Sequence, residues 1–183
     1  AQTQQNAPPF GNANPTSTTR QPRMSPYYVL NKLQGDAEAN YMIVRPFQPF
    51  SDNDSKLKLT SFMVARCDGD DLGRLQVYTM GDKENIDGPG IVSQSMLSDS
   101  AVSSTITQLN QQGSKVYFGD LTIVPMDRSI IYVRALYVVT NEQQQQLPVV
   151  RRVIVRMATS TKVVIRDTLH DALNDLPPGA APK

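Results

Sequence analysis

Aspartates and arginines are the residues of this sequence whose type and spacing could do chemistry. Asp68, Asp70 and Asp71 crowd within four positions, and Arg66 and Arg74 flank them. Such a cluster could hold a hard cation or set up an acid and base pair. Hairpin turns also favour aspartate for local hydrogen bonding, and exposed arginines can neutralise the cluster. We therefore favour a structural interpretation of the turn over a functional one.

Arginines also occur in nearly every predicted strand, and they are the second candidate feature. If several converged on one face, their planar donor groups could bind phosphate, carboxylate or an acidic partner. The simpler interpretation is separate, solvated guanidinium groups whose apolar stems lie on the sheet. The arginines are Arg45, Arg66, Arg74, Arg134, Arg152, Arg156 and Arg166. The candidate set for ligand or partner binding is Arg45, Arg66, Asp68, Asp70 and Arg74.

The sequence lacks the residues that most classes of catalytic and metal site need. The chain has one cysteine and one histidine, and His170 lies in the polar part of a predicted helix, so neither a triad nor a zinc site is expected. Residues 52–56 begin like a calcium loop, but Lys56 replaces an oxygen ligand. Residues 87–90 lack the glycine spacing of phosphate-binding loops and are predicted to form a turn. We predict no enzyme activity, no cofactor and no metal site.

Length and charge narrow the class further. The 183 residues suit one domain, and 18 Lys and Arg against 17 Asp and Glu leave a formal charge of +1. A charge so near zero does not predict binding to nucleic acid. The richest apolar run, 130–139, is interrupted by Arg134 and is too short for a membrane-spanning helix. The chain starts at Ala1 rather than Met, which we interpret as the cut end of a longer protein.

Composition also predicts where the folded domain begins and ends. Residues 1–26 carry five prolines, many polar residues and only two charged side chains, so they cannot bury enough apolar surface to order themselves. We predict a flexible, disordered linker over 1–26, a β-rich α+β domain over 27–176, and a proline-rich tail over 177–183.

Strand patterns dominate the predicted domain, and this favours a mainly antiparallel α+β sheet with about two short helices. A helix is predicted after Asp99, because Val102, Ile106 and Leu109 recur at helical spacing, and another begins at 167 or 168 and ends before Pro177. Pro46 should end the second strand. The predicted strands are 27–33, 41–45, 57–67, 75–80, 116–118, 121–126, 130–140, 149–157 and 162–166.

Alternation within the long strands predicts which face is buried. In 130–140, one face is wholly apolar and the other carries Tyr132 and Arg134, so we expect the apolar face to form the core. In 149–157, Arg152 and Arg156 share one face, which predicts a half-exposed strand. The apolar face comprises Ile131, Val133, Ala135, Tyr137 and Val139.

A run of short segments in a fixed order carries a family resemblance. They include PYYVL at 26–30, VRPFQPF at 44–50, MVARCDGD at 63–70, GRLQVY at 73–78, LNQQGSKV at 109–116, and IYV and LYV at 131–138. In this order, they resemble uncharacterised protein family 0182. The resemblance implies the C-terminal part of the extracytoplasmic region of a bacterial multi-pass membrane protein. It implies no catalytic residue.

The resemblance and the poverty of catalytic residues together favour a non-enzymatic structural or assembly role in the cell envelope. The expected partners are the remainder of the protein's own ectodomain and membrane part, sister subunits or other envelope proteins. This hypothesis predicts an apolar or arginine-rich patch left exposed on the isolated fragment. The alternative is binding of a phosphate-bearing lipid or a metal ion by the candidate arginines and aspartates, at a site that the rest of the ectodomain completes.

Overall fold

Two antiparallel sheets and three α-helices make up the described part of the chain. The computed structural model describes residues 24–49, 58–81, 85–110, 114–126, 129–140 and 147–177. These residues confirm the predicted α+β class. The strands are β1 (Tyr27–Asn31), β2 (Asn40–Phe47), β3 (Ser61–Arg66), β4 (Leu75–Thr79), β5 (Ser114–Phe118), β6 (Thr122–Met126), β7 (Ser129–Thr140), β8 (Val149–Met157) and β9 (Val163–Arg166). The helices are α1 (Pro89–Ser98), α2 (Ser100–Asn110) and α3 (Leu169–Asn174).

The first sheet is a meander in which β1, β2, β3 and β4 pair in chain order. Glycines with positive φ make its turns possible, because side chains disfavour that conformation. Gly35 (φ 92°) lies between β1 and β2, and Gly73 (φ 84°) precedes β4. Both predicted hairpins are therefore confirmed. Pro46 does not end the second strand, since it lies within β2 opposite Phe62.

The second sheet is built around β7. It runs β5-β7-β8-β9, and β6 pairs with the first half of β7 while β5 pairs with the second half. A register shift after Leu136 interrupts the pairing of β7 with β8. Strand β1 lies against β6, where the Tyr27 hydroxyl donates to the Ile123 carbonyl at 2.6 Å. This edge contact between β1 and β6 is one of the places where the two sheets meet.

The helices include one that the sequence patterns did not predict. Helix α2 confirms the segment after Asp99, whose carboxylate accepts from the N–H groups of Ala101 and Val102. Helix α3 confirms the terminal one, capped by Thr168. The predicted turn at 87–90 is wrong, because Pro89 is the first residue of α1 and Gly88 is its N-cap. Pro at the first helical position is itself a helix-start signal.

The core lies on the opposite face of β7 from the one predicted. Tyr132, Leu136 and Val138 belong to the main cluster together with Val44 and Val64 of the first sheet, and helices α1 and α2 also contribute to it. The Arg134 side chain is on this buried face, next to α1. The apolar face of β7 that was predicted as the core is also partly covered, because part of it packs with β8, β9 and α3 in a smaller cluster. A strand buried on both faces defeats a prediction made from alternation.

Three further predictions concern exposure or the chain ends. Arg156 is 2% exposed, so the half-exposed face predicted for β8 is wrong at that end of the strand. His170 is exposed on α3 as predicted. Most of the predicted linker, the tail beyond Pro177 and the 52–56 loop lie outside the described residues.

Candidate functional site

Three of the predicted site residues line one shallow pocket. Arg66 at the end of β3 meets Asp68 and Asp70, which lie in a single 3₁₀ turn and its entry. Asn40, Gly69 and Asp71 complete the lining. The hairpin connection between β3 and β4 brings these residues together, as their close spacing in the sequence suggested.

The Arg66 guanidinium is already bound within this pocket. Its Nη1 and Nη2 atoms donate to the two carboxylate oxygens of Asp36, at 2.7 and 2.8 Å, and its Nε donates to Gln76 at 2.8 Å. Arg66 is buried, at 5% exposed, and Asp36 is half-buried. The hydrogen bonds from Arg66 lower the pKa of Asp36 below its usual range. These contacts tie the first turn of the sheet to β3 and occupy three of the five N–H groups of Arg66.

The aspartates of the pocket also have local roles. One oxygen of Asp68 accepts from the Tyr41 N–H at 2.8 Å, which fixes the turn to β2. The other oxygen, Oδ1, is buried and has no hydrogen-bond partner among the described residues. Asp71 pairs with Arg74 at 3.0 Å, and both side chains are more than half exposed. Within the described part of the chain, no group of three His, Cys, Asp or Glu side chains is arranged to hold a metal ion.

Arg45 lies apart from the other candidates. It is on β2 opposite Met63, five residues along the strand from Asn40 at the pocket, and its guanidinium lies 5.7 Å from the centre of the Phe47 ring. The structure therefore brings Arg66, Asp68 and Asp70 together, places Arg74 beside them and separates Arg45.

A charge cluster centred on the half-buried Asp87, with the buried Arg156 as one partner, was not predicted from the sequence. One Asp87 oxygen pairs with the Lys58 ammonium at 2.5 Å, and the other pairs with the Arg156 guanidinium. The Tyr132 hydroxyl donates to the Asp87 carbonyl at 2.5 Å. Arg156 also donates to Ser95 on α1 and to the Ser160 carbonyl, each at 2.8 Å. These contacts join β7 and β8 to the start of α1.

The electrostatics of this cluster indicate a structural role. Burial would raise the pKa of Asp87, but the hydrogen bonds from Lys58 and Arg156 outweigh burial and lower it. Burial raises the pKa of Tyr132, and the nearby Asp87 charge raises it further. Asp87 is thus held as a carboxylate with both oxygens occupied, which does not suit a general base. The only sequence signal was an aspartate directly before a Gly-Pro helix start.

Arg134 is a buried arginine of a different kind. It is 5% exposed, yet no carboxylate of the described residues lies within ion-pair distance of it. Its Nη1 donates to Ser93 at 3.0 Å, its guanidinium lies 5.5 Å from the centre of the Phe118 ring, and its Nε has no partner among those residues. Burial lowers the pKa of Arg134, and the distant charge of Asp120 opposes this only in part.

A further feature is the solvent side of the first sheet, which we call the outward face. Its residues stand opposite one another across all four strands, and Tyr28 and Leu75 are 73% and 65% exposed. Ile43, Arg45, Met63 and Ala65 occupy the middle of this face and are half-buried. The face is defined by the exposed residues Tyr28, Leu30, Tyr41, Phe47, Leu75 and Val77. Exposed, mainly apolar patches of this kind mark interaction surfaces.

Comparison with known proteins agrees with the segment order noted above. The model of the Uncharacterised protein family (UPF0182) matches residues 5–109. The chain is 35% identical over 160 residues to a UPF0182 protein of Trichlorobacter lovleyi, a match that covers 87% of this chain and 17% of that protein. It is 36% identical over 150 residues to one of Geobacter sulfurreducens, covering 82% of this chain and 16% of that protein.

The chain thus spans about a sixth of the length of these curated relatives. No solved structure matches it. None of the helices in the described part of the chain has the length and apolar character needed to cross a bilayer. The matched length and the identity of these relatives show that this chain belongs to the uncharacterised protein family UPF0182.

Proposed function

We propose that this chain is a non-enzymatic module of a larger membrane protein, and that it packs through its outward face against the rest of that protein. The parent polypeptide is the partner, and the role is structural assembly in the cell envelope. The observation that carries the proposal is the exposed apolar face, which runs across four strands of a chain that spans about a sixth of its relatives. The rest of a longer chain can cover such a face.

The buried polar groups support the non-enzymatic part of the proposal. Both carboxylate oxygens of Asp87 are occupied, and Arg66 donates three hydrogen bonds to Asp36 and Gln76, so both sites link separate elements of this chain. The ligand-binding alternative has less support, because three N–H groups of Arg66 already donate to Asp36 and Gln76.

The packing proposal predicts that a charge on the outward face harms the parent and spares the isolated chain. Leu30→Lys changes a side chain that is 55% exposed, so the isolated chain should keep its free energy of unfolding within about 0.5 kcal/mol. In the parent, the same lysine would be buried without a partner and should cost at least about 2 kcal/mol. Thermal and denaturant unfolding of both proteins measure the difference.

The matched control is Gln108→Lys, which places the same charge on the exposed side of α2. This variant should leave the free energy of unfolding of both proteins unchanged. Equal stability of wild-type and Leu30→Lys parent protein would contradict the proposal.

The proposal also places the module on the extracytoplasmic side of the membrane, as the family resemblance implies. Cys67 adjoins Tyr41 at the edge of the outward face, so the packing proposal covers it in the parent. A cysteine introduced at the exposed Gln108, in the Cys67→Ser background, avoids this face. A membrane-impermeant maleimide applied to intact cells should therefore label Gln108→Cys in the parent protein. The Cys67→Ser protein without the new cysteine serves as the control for any other cysteine, and labelling of Gln108→Cys only after the cells are broken would place the module inside.

A further inference from the structure

Among the residues that the structure describes, strand β4 is the least protected edge of the two sheets. In the described residues it pairs only with β3, and its sequence LQVYT contains no charge, proline or glycine. Leu75 and Val77 are both more than half exposed. Natural sheets usually guard an edge with a lysine, a proline, a bulge or a covering element. An edge without such protection is suited to pairing with another strand.

The other edges of the sheets are covered or charged. Strand β1 meets β6, where the Tyr27 hydroxyl bonds to both the N–H and the carbonyl of Ile123. Strand β9 is tied to α3 by the bond from Arg166 to Asp175. Strand β5 packs beside α2 and carries the exposed Lys115. The contrast singles out β4.

The backbone of β4 presents a regular set of outward hydrogen-bonding groups. Arg66 N–H donates to the Arg74 carbonyl, and Met80 N–H donates to the Thr60 carbonyl. The backbone N–H and carbonyl groups of the even-numbered residues of this strand therefore point toward β3. Because hydrogen-bonded pairs alternate along an antiparallel ladder, the N–H and carbonyl groups of the odd-numbered residues point away from the sheet. These residues are Leu75, Val77 and Thr79.

We propose that an extended segment of the parent polypeptide adds to β4 as a fifth strand of the first sheet. This inference rests on the proposed function and names how the parent engages the module. Strand addition supplies partners for the outward groups of β4, and pockets beside alternate side chains give it specificity. The added strand continues the outward face, because its apolar side chains would lie next to Leu75 and Val77. About five-sixths of a curated relative lies outside the matched region and provides such a segment.

Amide hydrogen exchange of the parent protein, resolved to single residues, tests the proposal with an internal reference. The Gln76 and Tyr78 amides face β3 and should exchange slowly in any case. If a strand is added, the Leu75, Val77 and Thr79 amides should be protected to a similar extent, about 100-fold or more beyond free amides. Free exchange at these three positions, with Gln76 and Tyr78 protected, would overturn the proposal.

A proline variant supplies the second measurement. Val77→Pro removes an outward N–H and should leave the pairing with β3 in place, because proline is tolerated on that side of an edge strand. In the parent it should restore fast exchange at Leu75 and Thr79, whereas Val77→Ala should not. Continued protection of these amides in Val77→Pro would contradict strand addition at β4.

The test of strand addition can be separated from the test of the proposed function. If Leu30→Lys destabilises the parent while the outward β4 amides exchange freely, the module packs by its face alone and only strand addition is wrong. If Leu30→Lys has no effect, the proposed function fails. Protection that disappears when the parent is diluted to a monomer would identify a second copy as the added strand and would overturn the choice of occupant.

Discussion

Replacing Asp87 with alanine is expected to lower the free energy of unfolding of this chain by about 3–5 kcal/mol, because it leaves Arg156 buried without its carboxylate. Arg156 is 2% exposed, and Lys58 loses the same partner. The penalty arises from the uncompensated charge and not from lost volume. Denaturant unfolding, followed by circular dichroism, measures it.

Two variants isolate the cause. Asp70→Ala removes an exposed carboxylate and should change stability by less than about 0.5 kcal/mol. Arg134→Met removes a buried guanidinium that has no carboxylate partner among the described residues, so it should be neutral or stabilising. If Asp87→Ala were as mild as Asp70→Ala, the Asp87 cluster would not hold α1 to the second sheet.

Replacing Asp36 with asparagine is expected to cost a similar amount, about 3–5 kcal/mol at pH 7, because Arg66 then keeps a buried charge without a carboxylate. The folded-state pKa of Asp36 is depressed by the hydrogen bonds from Arg66. Its contribution is therefore complete above the unfolded value of about 3.9 and is lost as the pH falls through the lower folded value. The stability gap between wild type and Asp36→Asn should shrink below about pH 4.

The exposed pair in the same sheet provides the control for Asp36. Arg74 and Asp71 are both more than half exposed, so Arg74→Met should cost no more than about 1 kcal/mol. Unfolding curves measured at several pH values between about 2.5 and 7 give both comparisons of stability. A gap that stays constant with pH would mean that the Asp36 carboxylate does not stabilise the fold through its charge.

Local patterns in the sequence predicted most of the elements. Each predicted strand corresponds to an observed one, and the ends differ by a few residues. Helix α2 was predicted from Asp99 and the spacing of Val102 and Ile106, and both hairpins from their glycines and aspartates. These features depend on residues close in sequence, where capping, turn geometry and side-chain periodicity act.

The failed predictions about burial depend on distant residues. The apolar face of β7 looked like the core, but helices α1 and α2 and the first sheet cover the face that carries Tyr132 and Arg134. Arg156 looked solvated because its carboxylate, Asp87, is 69 positions away in the sequence. The local sequence pattern around an arginine is the same whether its guanidinium pairs with a carboxylate far away in the sequence or lies in water.

The candidate site also combines a local feature that the sequence predicted with a distant contact that it did not. Arg66, Asp68 and Asp70 were expected together from their spacing, and they line one pocket. That Arg66 is bound by Asp36, 30 positions away, was not visible in the sequence. The tertiary contact changes a possible ligand-binding arginine into a link between the turn after β1 and strand β3.

The amino-acid sequence alone determined most of the secondary structure, the antiparallel class and the membership of a family, because each is encoded in short segments and in their order along the chain. Only the tertiary structure decided which charges are buried, which face of β7 is covered and which sheet face is left exposed. Those outcomes are set by packing and by ion pairs between residues far apart in sequence, and local periodicity carries no record of such partners.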